Sequence, residues 1–137
     1  MADDLTFLLR RLIENVPGTR SAVLLSVDGM PKFCYGIDLD GRDTLAALAS
    51  GICSLAQQVG ARFGTGSGDG VRQVVTELED TVLFVTSASI GSVIAVLADR
   101  AVDVKVLGYE LTKLCSQVPH FIATPSRQPG PATSGTA

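Results

Sequence analysis

Two short runs, Val82-Leu83-Phe84-Val85 and Val93-Ile94-Ala95-Val96-Leu97, carry no polar side chain at odd or even positions. Successive side chains of a β-strand point to opposite faces, so such runs are apolar on both sides and need cover above and below. That demand removes most simple all-β arrangements and asks for a sheet with helices on both faces. Glu79-Asp80 precedes the first run and Ser89-Ile90-Gly91 links the two, which predicts an antiparallel meander near 71–78, 81–87 and 92–98. The first of these strands is more polar, with Arg72, Gln73, Thr76 and Glu77, as an edge strand should be.

Upstream, the periodicity predicts a helix over 4–16, with Asp3 or Asp4 as N-cap and Leu5, Leu8, Leu9, Leu12, Ile13 and Val16 as its apolar stripe. Pro17-Gly18 stops it. A strand over 21–27, the turn signal Asp28-Gly29 and a returning strand over 32–37 form a hairpin. Asp38 to Gly41 is a polar turn that supplies an N-cap, assigned to Asp40, for a long helix over 42–63. Past the meander, a last helix is expected over 104–118 behind Asp103, ended by Pro119. The fold class is therefore α+β, a five-stranded antiparallel sheet in the order α-β-β-α-β-β-β-α. Residues 1–122 form one domain, and 123–137, rich in Pro, Ser, Gly and Thr, read as a disordered tail.

The long helix gives two messages. Leu45, Leu48, Ala49, Ile52, Leu55, Ala56, Val59 and Phe63 recur at helical spacing and are expected to lie against the sheet. The other face, where a solvated helix would carry charge, has Ala46, Ala47, Ser50, Ser54, Gln57 and Ala61. No Asp, Glu, Lys or Arg occurs from Leu45 to Ala61. A second surface could approach such a small-residue face closely. A membrane span is disfavoured, since Ser50, Ser54, Gln57, Gln58 and two glycines interrupt a barely sufficient length. A partner contact is the favoured reading.

Little in the chain points to chemistry. A net charge of -3 with scattered Lys and Arg argues against nucleic acid. The acidic, amphipathic start is no signal peptide, and three widely spaced cysteines, Cys34, Cys53 and Cys115, fit reduced thiols in a cytoplasmic protein. Gly64 to Gly70 lacks the Lys of a phosphate loop and leads into a strand, so it reads as a connector. Neither the cysteines nor the single His120 builds a zinc site or an oriented catalytic pair. Asp28, Asp38 and Asp40 have local explanations in turns and caps. No cofactor, metal or catalytic residue is assigned.

Val16-Pro17-Gly18 followed by Ser21-Ala22-Val23-Leu24-Leu25-Ser26-Val27-Asp28-Gly29-Met30, the Ala- and Leu-rich 45–56 helix and the 82–98 strands resemble the roadblock family over about residues 4 to 122. The likeness is greatest to bacterial single-domain members encoded beside small Ras-like GTPases, in particular the roadblock component of actinobacterial conservon cassettes. It implies a homodimer in which the long helices pack together and edge strands pair. Here those positions are Ala46, Ser50, Cys53, Ser54 and Gln57 on the helix, and Val71, Gln73 and Val75 within the 71–78 strand. It further implies a non-enzymatic role, binding a small Ras-like GTPase and modulating its cycle as activator or scaffold, with a sensor kinase complex as a further partner. No nucleic acid and no direct membrane insertion are expected. Arg42, Arg62 and Arg72 are equally placed as exposed arginines, and none is given a catalytic role. A small-molecule sensor or plain scaffold is the alternative, and a hydrolase using Cys115 or Ser67 the weakest rival.

Overall fold

The computed structural model describes residues 2–65, 71–89 and 91–117. Its elements run α1 (Ala2–Asn15), β1 (Thr19–Ser26), β2 (Pro31–Tyr35), α2 (Leu39–Phe63), β3 (Gln73–Glu77), β4 (Thr81–Ser89), β5 (Ser92–Asp99) and α3 (Val104–Cys115). The strands form one antiparallel sheet in the order β2-β1-β5-β4-β3. The first strand thus returns to lie beside the last, and β2 and β3 are the two edges.

Alternation along the central strands builds two cores. Ala22 and Leu24 of β1, Val82 and Phe84 of β4, and Ile94, Val96 and Ala98 of β5 point to one face, where α1 brings Leu5, Leu9 and Leu12 and α3 brings Leu107, Leu111 and Leu114. The intervening Val23, Leu25, Leu83, Val85, Val93 and Ala95 point to the other, where α2 covers them. Cover on both faces is what the continuous apolar runs require. Registry is tight through the middle, with Val23 opposite Ala95 on one side and Val85 opposite Ala95 on the other.

The hairpin forms at Asp28-Gly29, where Gly29 takes a φ of 92° and donates its N–H to the Ser26 carbonyl at 2.9 Å. Asp28 also accepts from the Ser26 hydroxyl, so its role in the turn is local. β2 ends earlier than 37, because Gly36 turns left-handed with a φ of 79° and leaves the strand.

Helix starts differ from expectation. α1 begins at Ala2, so Asp3 and Asp4 fall inside the helix rather than at its N-cap. α2 begins three residues early, at Leu39, and its N-cap is Asp38, whose carboxylate accepts from Gly41 N–H at 2.7 Å. Asp40 then lies in the first turn. Two aspartates two residues apart are equally good caps on sequence, and the first to reach a free N–H takes the place. Asp103 caps α3 as expected, accepting from Lys105 and Val106 N–H at 3.0 and 3.2 Å. α3 closes at Cys115 before Pro119 is reached, with the Ser116 hydroxyl donating to the Lys113 carbonyl at 2.7 Å. The tail read at 123–137, His120, Ser67 and most of the 64–70 connector lie outside the described residues.

Candidate interaction surface

The geometry of α2 sets the surface. Its inner side is made of small residues: Ala46 and Ala49 are fully buried, Cys53 nearly so, and Leu45 is the one bulky side chain pressed fully into the sheet. Branched side chains already fill that side of the sheet, and a row of alanines lets the helix axis come close without voids. Seating is completed by the Ser50 hydroxyl, which donates to the Val27 carbonyl at 2.7 Å and ties the helix to the β1–β2 hairpin.

The outer side is the reverse. Leu48, Leu55, Val59 and Phe63 are 59, 64, 59 and 79 % exposed, and Ile52 between them is half-buried. Their spacing, 48-52-55-59-63, runs in steps of four, three, four and four residues, which keeps them along one side of a helix. Sequence reasoning expected these side chains against the sheet. Leu45 and Ala49 of that stripe are buried as expected, whereas Leu48, Leu55, Val59 and Phe63 meet solvent. On the expected outward face Ala46 is buried, while Ala47, Ser54 and Ala61 are exposed as expected. Size was the available signal, because a crowded sheet face favours alanine. Apolar stripes on both sides of the helix hid it.

The expected dimer residues are placed accordingly. Ala46 and Cys53 are buried in the chain's own core, so they are not a surface a partner can meet. Val71 is likewise buried on the α2 side of the sheet. Ser50 and Gln57 are half-buried and Ser54 is exposed. Together with Val27, Ser87 and Val93, five of these positions (Ser50, Cys53, Ser54, Gln57 and Val71) border a cleft of about 210 Å³ between α2 and the sheet. Gln73 is exposed and Val75 half-buried on β3, whose one strand partner among the described residues is β4. The outer edge of β3 therefore presents unpaired backbone N–H and C=O groups.

Among the described residues the thiols are not set up for reaction. Burial raises the Cys53 thiol pKa, and it pushes that of Cys115 up to about 11. Cys115 Sγ also lies 3.5 Å from the Ser87 carbonyl, to which it donates. A thiol held protonated is a poor nucleophile, which counts against a hydrolase built on Cys115. Among the described residues no three His, Cys, Asp or Glu side chains gather as a metal site requires. Of the arginines, Arg42 pairs with Asp43 at 3.0 Å, and Arg62 and Arg72 are exposed. No helix among the described residues is long and apolar enough to cross a membrane.

Comparison with known proteins agrees with this layout. The model of the Roadblock/LC7 domain matches residues 5–98. A Roadblock/LC7 domain crystal structure from Streptomyces avermitilis is 49 % identical, covering 87 % of this chain and 98 % of its own at a TM-score of 0.83. A second from the same organism is 31 % identical over 82 % of this chain and 96 % of its own, with a TM-score of 0.66. MglB from Myxococcus xanthus shares the fold at 14 % identity, covering 93 % of both chains with a TM-score of 0.78. No curated protein matches.

Proposed function

The chain belongs to the Roadblock/LC7 family, and on that footing we propose that it is a homodimeric regulatory module that binds a small Ras-like GTPase and modulates its nucleotide cycle in a bacterial cytoplasm. The observation that carries this reading is the exposed seam of Leu48, Leu55, Val59 and Phe63 on a helix with no charged side chain from Leu45 to Ala61. Large apolar side chains spaced along one exposed helix stripe mark a surface made for protein contact. Two α2 helices laid against each other would cover it, and β3 offers the adjacent strand edge through which a second sheet can continue.

This moves the dimer contact from the inner face of α2 to the outer one. Ser54, Gln57 and Gln73 stay available at its margin, whereas Ala46, Cys53 and Val71 support it from within. Stimulation of a GTPase fits a protein without catalytic groups of its own, since ordering the partner's catalytic residues is enough to speed phosphoryl transfer. A place in a conservon-type cassette, with a sensor kinase complex as a further partner, is the setting that the resemblance suggests.

A small-molecule sensor is the second reading, favoured by the cleft beside Ser50, Ser54 and Gln57. Its 210 Å³ falls below the roughly 300–1,000 Å³ usual for ligand pockets, which leaves the first reading ahead.

The deciding experiment is single-turnover GTP hydrolysis by the small GTPase encoded nearest this gene, with the protein titrated in and binding followed in parallel. Acceleration together with preferred binding to the GTP state establishes an activator. Binding without acceleration makes it a scaffold, and the absence of binding in both nucleotide states removes the GTPase reading.

A further inference from the structure

We draw no further inference here: the strongest candidate, the cleft of about 210 Å³ between α2 and the sheet that Val27, Ser50, Ser54, Gln57 and Val93 line, belongs to the surface already described, and nothing in its uncharged lining shows what would fill it.

Discussion

Single residues show where backbone and burial leave no choice. Gly36 holds a φ of 79°, and a Cβ built there would lie 2.5 Å from the Arg20 carbonyl oxygen. Gly36→Ala combines left-handed strain with a backbone clash, and a loss of more than about 1 kcal/mol in urea unfolding is the expected outcome. Cys115 makes a pH prediction. Its thiol titrates near 9 when the chain is open and near 11 when folded, so the folded state keeps a proton that the unfolded state releases. The stability this group contributes is whole below pH 9 and is lost as pH climbs to 11. Unfolding midpoints from pH 8 to 11 should therefore fall more steeply for the native chain than for Cys115→Val. Equal slopes would mean the thiol is not held back by burial. Asp38 and Asp40 show the limit of reading at this scale, since both are capping residues by type and only the path of the chain selects the first.

At the scale of elements, α2 has two apolar sides with different duties. Ala49 is fully buried against the sheet, and Ala49→Leu should overpack it at a cost of about 1–3 kcal/mol, read as a lower unfolding midpoint. Leu55 faces outward, so Leu55→Arg should leave the midpoint nearly unchanged and halve the mass seen by sedimentation. A dimer that survives Leu55→Arg would place the contact elsewhere. The central strands were legible in the sequence because an unbroken apolar run admits few placements. The faces of α2 were not, because periodicity finds stripes but does not say which one touches the sheet. Only the sizes of the side chains, Ala46, Ala49 and Cys53 against Leu48, Leu55, Val59 and Phe63, carry that information. Of the helix positions expected at the contact, Ala46 and Cys53 lie inward, Ser50 and Gln57 are half-buried and Ser54 faces outward.

For the molecule as a whole, the order β2-β1-β5-β4-β3 puts the last strand in the middle and the two shortest strands at the rims. Hydrogen exchange should follow that order, slowest in β5 and its neighbours and fastest in β2, with β3 shifting toward protection as concentration rises into the dimer range. Protection of β3 that ignores concentration would argue against strand pairing between copies. The two rims also differ in kind. β2 opens with Pro31, which has no N–H to offer, and carries the exposed Lys32, features that blunt a strand edge. β3 has neither a proline nor a lysine. A sheet that is sociable on one rim and closed on the other cannot be extended end over end into a fibre. If β3 pairs with its twin as proposed, growth through the strands stops at that first symmetric handshake, and the number of copies is then set by the rim that declines to bond.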